Sequence, residues 1–294
     1  MRPLLFSVPG NETLSAALAR ELDAESGAVE IRRFPDGESY VRILSQVTGR
    51  ECLLVATLDR PDEKILPLLF LALTAWELGA ARVTLIAPYL AYMRQDRRFQ
   101  PGESVTSACF ARFLSGWIDG LVTVDPHLHR RGSLEEIYTV PCTTLHAAPL
   151  ISHWIREEVE NPLLVGPDVE SEQWVSEVAR EASAPWVVLK KERLGDRNVR
   201  ISVPELDRWL DRTPVLVDDI ISTARTMIET VGHLVRAGLR PAVCVGVHAV
   251  FAGSAFADLR AAGAGRIVTC NTIPHDSNGI DVCPLLVGAL RKRG

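Results

Sequence analysis

The stretch Pro214-Val215-Leu216-Val217-Asp218-Asp219-Ile220-Ile221-Ser222-Thr223-Ala224-Arg225-Thr226-Met227 sets the reading of the whole chain. Val215 to Val217 is a short β-branched and aliphatic run, the pattern of a buried strand. The pattern predicts that the strand ends at two carboxylates, Asp218 and Asp219, and that a small polar loop follows from Ser222 to Thr226. Met227, Ile228, Val231, Leu234 and Val235 then fall on one face of a helix. Strand, acidic pair, hydroxyl-rich turn and helix place backbone N–H groups and hydroxyls at a helix N-terminus, where they can hold a phosphate. The carboxylates can hold a sugar's hydroxyls, directly or through Mg2+. A single Asp followed by Ser or Thr more often just caps a helix. Two adjacent Asp beyond so apolar a strand favour a ligand site, since ligands of open α/β sheets bind at the carboxyl ends of the strands. The stretch is read as a sugar-phosphate loop.

A chain of 294 residues, nearly half apolar, is long enough for two domains with substantial cores. The net charge of −5 argues against a surface built to coat nucleic acid. Six scattered cysteines with no C-x-x-C pair read as reduced core residues rather than zinc ligands or disulfides. The apolar run after Met1 stops at Pro9-Gly10, too short for a signal sequence. The longest apolar stretch, Ala242 to Ala257, is short of a membrane span. The expectation is a cytoplasmic protein.

Outside the central loop, short aliphatic runs alternate with helical spacing. Strands are predicted at 3–8, 29–33, 52–57, 83–87, 120–124, 161–165, 186–189, 242–250 and 267–272. Helices are predicted through Leu14, Leu18 and Leu22, and over 65–78, 104–114, 145–159, 255–262 and 284–291, with one more around Trp174 to Ala179. That alternation predicts a parallel α/β sheet. Three segments break it. Phe34-Pro35-Asp36-Gly37-Glu38 is a turn leading to an exposed strand. Residues 88–103 pack three arginines and three aromatics between prolines; guanidinium forks suit phosphate and planar rings suit a nucleobase, while a plain solvated loop or a subunit contact remains an equal reading. Lys190 to Ile201 is a charge run that resumes as a strand, like a hairpin arm able to close over a site. Asp125-Pro126-His127-Leu128-His129 at one strand end can supply a metal ligand, and Asp168 follows another strand end. The Arg33–Ile43 and Arg193–Ile201 segments resemble each other and point to two related halves.

These segments, in this order, resemble the ribose-phosphate pyrophosphokinases, the phosphoribosyl-pyrophosphate (PRPP) synthetases, over almost the whole chain. The loop at Asp218 is also similar to that of type I phosphoribosyltransferases, which would match the loop alone. The resemblance implies two tandem phosphoribosyltransferase-type α/β domains, each a mainly parallel sheet flanked by helices, over 1–143 and 144–294, with the last helix packing back on the first. It implies transfer of the β,γ-diphosphoryl group of ATP to the 1-hydroxyl of ribose 5-phosphate, with Mg2+. Phe34, Asp36, Gly37, Glu38, Arg94, Gln95 and Asp96 would bind ATP, and His127 and Asp168 the metal. Lys191 and Arg193 would be catalytic, and Asp218, Asp219, Ser222, Thr223, Ala224, Arg225 and Thr226 would bind ribose 5-phosphate. A dimer-based homo-oligomer, up to a hexamer, completes the nucleotide site in such proteins; no nucleic acid or membrane partner is implied.

The chain departs from the family pattern at Ser222 (Asp in the pattern), Arg225 (Gly) and Glu170-Ser171 (Gly-Gly). Ser222 removes a carboxylate from the sugar site. Arg225 removes the bare backbone of glycine but brings a charge that can bind phosphate. A non-catalytic regulator of a PRPP synthetase and a type I phosphoribosyltransferase are the competing readings.

Overall fold

The computed structural model describes residues 1–128, 130–167, 171–194, 198–202 and 208–292, the strands within 190–202 by their backbone. It resolves into two compact units. The first comprises Met1–His146 with Thr272–Pro274 and Cys283–Gly294, and the second Ala147–Asn271 with His275–Val282.

In the first unit, β1 (Leu4–Ser7), β2 (Glu25–Ser26), β5 (Glu51–Val55), β6 (Arg82–Ala87), β7 (Gly120–Val124) and β8 (Cys142–Leu145) form a parallel sheet ordered β2-β1-β5-β6-β7-β8. A separate antiparallel hairpin joins β3 (Val29–Arg33) to β4 (Ser39–Ile43). Helices α1 (Glu12–Glu21), α2 (Pro61–Glu77) and α3 (Thr106–Ser115) connect the strands. Buried strands of a parallel sheet read as unbroken apolar runs because helices cover both faces. Leu4, Phe6, Leu54 and Leu85 accordingly pack with Leu68, Leu71 and Ala75 of α2, all at 0% exposure.

The second unit repeats the plan. Strands β9 (Pro162–Gly166), β10 (Trp186–Val188), β13 (Thr213–Ile221), β14 (Val243–Ala249), β15 (Arg266–Cys270) and β16 (Asn278–Ile280) are all parallel, in the order β10-β9-β13-β14-β15-β16. Strands β11 (Lys190–Leu194) and β12 (Asn198–Ser202) form its hairpin. Each sheet becomes the other when eight is added to the strand number, and each hairpin stands in the same place. Helices α4 (Ala148–Glu158), α5 (Glu172–Ala182), α6 (Arg225–Arg236) and α7 (Ala255–Ala261) belong to this unit, and α8 (Cys283–Arg291) returns to the first. There α8 lies against α1, and Arg291 donates to the Glu21 carbonyl.

Three expectations need correction. Strand β13 does not stop before the acidic pair but carries on through Asp218 and Asp219 to Ile221, hydrogen-bonded to β14. The helix expected from Leu145 begins at Ala148, because Cys142–Leu145 is the edge strand β8, whose half-buried Thr143 and Thr144 hide the strand pattern. Helix α2 starts at Pro61, four residues before its apolar periodicity, with proline in the first turn followed by Asp62 and Glu63.

Candidate active site

Strand β13 outruns its neighbour. Its pairing with β9 ends at Leu216↔Val165, whereas its pairing with β14 continues to Ile221↔Ala249. Residues 218–221 therefore project at the carboxyl end of the sheet with one edge unpaired by β9. Successive residues of a strand point to opposite faces, so Asp218 and Asp219 are not a side-by-side pair. The Asp218 carboxylate also accepts the Asp219 N–H at 2.9 Å. Both residues are half-buried.

Ser222 and Thr223 then lead to Ala224, which caps α6 in the left-handed conformation (φ 55°) with no side-chain cap hydrogen bond. Such a conformation costs a non-glycine residue on the order of 1–3 kcal/mol and gathers at ligand sites. The turn is braced from the segment just past β14: Phe251 N–H donates to the Ile221 carbonyl and Ala252 N–H to the Ser222 carbonyl. Thr223, Arg225 and Thr226 are exposed, and α6 carries no acidic residue in its first turn. A cation at the first helical position opposes the helix dipole, a cost that an anion bound there would reverse.

The corresponding loop of the first unit, between β5 and α2, has the same left-handed cap, Arg60 (φ 49°), but spends its polar groups internally. Asn11 Oδ1 accepts the Thr57 N–H, Thr57 Oγ donates to the Thr272 carbonyl, and Lys64 donates to the Thr57 carbonyl and the Asp59 carboxylate. Asp62 and Glu63 fill its first turn with negative charge. Of the two loops, the second unit's is the one fitted to an anion.

The nucleotide-side candidates lie in the first unit. Phe34, Asp36, Gly37 and Glu38 form the exposed tip of the β3–β4 hairpin. Phe34 N–H donates to the Glu38 carbonyl, Glu38 N–H to the Asp36 carboxylate, and Gly37 takes φ +93°. The Arg32 guanidinium lies 4.8 Å from the Phe34 ring and 4.1 Å from the Tyr40 ring, which stiffens an exposed aromatic plane. Arg94 is exposed on the 88–103 connection, and Gln95 accepts from Thr106 Oγ at 3.5 Å. Asp96 differs from them. Its side chain is 3% exposed, with both oxygens taken by Arg130 Nη1 at 3.1 and 3.2 Å, while Arg131 donates to its carbonyl. Arg130 and Arg131 were missed in the sequence; the paired arginines just past His129 are the signal that points to them.

His127 is half-buried just beyond β7. Asp125, two residues earlier, has φ 35°, and its carboxylate lies 3.0 Å from His146 Nδ1. Asp168 and His129 lie outside the described residues, and Lys191 and Arg193 are described only as backbone of β11, paired with Ile201 and Val199. Burial of Tyr92 and its bond to Asp62 push the phenol up to about 12, so it remains a neutral donor at the start of this connection.

Residues 4–117 match the family model for the N-terminal domain of ribose phosphate pyrophosphokinase, and residues 133–285 match that for the phosphoribosyl transferase domain. The ribose-phosphate pyrophosphokinase of Methanopyrus kandleri is 36% identical over 279 residues, covering 94% of each chain. That of Methanothermobacter thermautotrophicus is 32% identical over 289 residues, covering 98% of this chain and all of its own. The crystal structure of phosphoribosylpyrophosphate synthetase from Mycobacterium smegmatis shares the fold, with a TM-score of 0.87 over the full length of both chains at 24% identity. With its duplicated sheets, two family matches in tandem and relatives aligned nearly end to end, the chain belongs to the ribose-phosphate pyrophosphokinase family.

Proposed function

We propose that this chain transfers the β,γ-diphosphoryl group of ATP to the 1-hydroxyl of ribose 5-phosphate, giving PRPP and AMP. The observation that carries the reading is the loop at Ser222–Thr226, with Thr223, Arg225 and Thr226 exposed, free of acid in the first turn of α6 and next to two half-buried carboxylates, in a chain of this family. Ribose 5-phosphate places its phosphate on the first-turn N–H groups of α6 with Ser222, Thr223, Arg225 and Thr226, and its hydroxyls toward Asp218 and Asp219. The exposed plane of Phe34, with Asp36, Gly37 and Glu38, takes the adenosine end of ATP. Arg94 and Gln95 reach the nucleotide, and Asp96, through Arg130, fixes the connection that presents them.

Diphosphoryl transfer needs in-line positioning and neutralised oxygens more than covalent help. The 1-hydroxyl oxygen forms a bond to the β-phosphorus, the bond from that phosphorus to the α,β-bridging oxygen breaks with its electron pair leaving on AMP, and the hydroxyl proton passes to solvent water. Lys191 and Arg193 on the hairpin arm stabilise the charge left on AMP. Magnesium is a hard ion that keeps waters and substrate phosphates and takes only one or two protein ligands. Carboxylate oxygens suit such an ion, and an imidazole is a weaker additional ligand for it. His127 and Asp168 would hold it, and it would supply charge neutralisation across the phosphate oxygens. No helix among the described residues is long and apolar enough to cross a membrane, in keeping with a cytoplasmic enzyme. We take the working form to be a homo-oligomer built from dimers.

The test is purified protein with ATP, Mg2+ and ribose 5-phosphate, followed for AMP and PRPP by mass. Both products are expected. Lys191→Ala should lower turnover by orders of magnitude with ATP binding largely kept. Nucleotide binding without AMP would make the chain a regulator, and conversion of PRPP with a nucleobase would make it a phosphoribosyltransferase.

A further inference from the structure

The corner after β7 recurs after β15, with different chemistry. In the first unit Asp125 N–H donates to the Leu145 carbonyl at 2.8 Å, and the Asp125 carboxylate meets His146 Nδ1 at 3.0 Å. In the second unit Asn271 N–H donates to the Ile280 carbonyl at 3.0 Å, and Asn271 Nδ2 donates to the Asp281 carboxylate at 2.7 Å. Both clasps tie the residue after the fifth strand of the sheet to the residue after the sixth.

Two features set the first clasp apart. Asp125 alone of the two has a left-handed backbone (φ 35°), and only its chain continues into a histidine two residues later, His127. A left-handed residue redirects the chain, so the side chain that holds it there decides where the next residues go. Because a carboxylate oxygen only accepts, His146 Nδ1 carries the proton in this contact. The His146 side chain is 71% exposed and that of Asp125 15%. The histidine therefore sits over the clasp from the solvent side and fills no core.

We propose that His146 is a positioning residue: through the Asp125 carboxylate it holds the turn that presents His127 to the magnesium–nucleotide complex. This rests on the function proposed above and adds a residue to it. It also accounts for an ionisable ring standing where the second unit has a carboxylate.

The test measures binding without turnover, using α,β-methylene-ATP, whose bridging carbon blocks the cleaved bond. Calorimetric titrations are run with Mg2+ and with EDTA in the wild type, His146→Ala, His146→Asn, Asp125→Ala and the double alanine variant. Loss of a partner that orients a metal ligand commonly costs about tenfold in affinity or more. His146→Ala and Asp125→Ala should each weaken the magnesium complex by about tenfold and leave metal-free binding unchanged. The double variant should be no weaker than either single one. His146→Asn, whose amide can donate to the same carboxylate, should return to within about twofold of wild type. Since His146 is exposed, its variants should melt within a few degrees of wild type.

Equal weakening with and without Mg2+ would mark the clasp as structural only and overturn the proposal. So would unchanged affinity, or failure of asparagine to restore it. The PRPP assay on wild type judges the function separately. A wild type that makes PRPP while His146→Ala binds the magnesium complex normally removes His146 and leaves the reaction standing.

Discussion

The Arg33 guanidinium donates to the carbonyl of Glu63 at 3.1 Å, the acceptor that Pro67, lacking an N–H, leaves unserved four residues along α2. A proline inside a helix thus opens a docking point for the β3–β4 hairpin, whose tip carries Phe34, Asp36 and Glu38. Arg33→Ala should cost about 1 kcal/mol in urea unfolding and raise the KM for ATP. In a Pro67→Ala background the new N–H of residue 67 can reach the Glu63 carbonyl, so the cost of Arg33→Ala should shrink. An identical cost in both backgrounds would mean that the two residues are uncoupled.

The ion pair of Asp96 and Arg130 makes a second prediction. Arg130→Ala strands a carboxylate that is 3% exposed, and a lost hydrogen bond to a charged group costs on the order of 2 kcal/mol. We expect a lower melting temperature and a higher KM for ATP, because the connection bearing Arg94 and Gln95 loses its anchor. Adding Asp96→Asn removes the stranded charge and should recover much of the stability. A double variant no more stable than Arg130→Ala alone would show that the carboxylate is not the source of the penalty.

What could be read from the sequence follows from how the information is stored. Strands β6 and β7 were legible because burial on both faces leaves Val83–Ala87 and Gly120–Val124 apolar except for a single buried threonine in each, Thr84 and Thr123. Edge strands β2 and β16 were not: Glu25–Ser26 is exposed, and Asn278-Gly279-Ile280 has no strand alternation. The true length of β13 was hidden because Asp218 and Asp219 look like loop residues, although pairing to β14 holds them in the strand. The duplication showed only as a faint likeness between two hairpin segments, because what repeats is the strand order rather than side chains. The pairings of Arg130 and Arg131 with Asp96 and of His146 with Asp125 could not be read from the sequence, because the partners lie 21 to 35 positions apart.

The cysteines make a pH prediction. Burial pushes the Cys52 thiol up from 9.0 to about 11 and the Cys244 thiol up to about 12, whereas Cys109 is exposed. Under native conditions at pH 8, a disulfide reagent should label Cys109 first and leave Cys52 and Cys244 untouched until the protein unfolds; Cys109→Ser should abolish the fast phase. For Cys52 the folded pKa lies above the unfolded one, so the folded state favours the neutral thiol. That contribution is complete below about pH 9 and is lost as pH rises from 9 toward 11. Stability measured across that window should fall less steeply in Cys52→Ala, and an unchanged slope would rule the thiol out as its cause.

Gly246 pairs with Asp218 across β14 and β13, and a β-carbon there would lie 2.6 Å from both Cδ1 and Cγ1 of Ile221. Ile221 is 1% exposed. Its carbonyl is fixed by Phe251 N–H, and it immediately precedes Ser222. Gly246→Ala must therefore push the Ile221 side chain, at the start of the loop proposed to hold ribose 5-phosphate. Overpacking of this kind costs about 1–3 kcal/mol. The KM for ribose 5-phosphate should rise while that for ATP stays near wild type, since the hairpin and the 88–103 connection belong to the other unit. Gly288→Ala is the matched control: its β-carbon meets nothing within 4 Å inside α8, and a helical glycine replaced by alanine should gain roughly 0.5–1 kcal/mol. If Gly246→Ala left the ribose 5-phosphate KM untouched, the end of β13 would tolerate displacement and the loop would owe its shape to α6 alone.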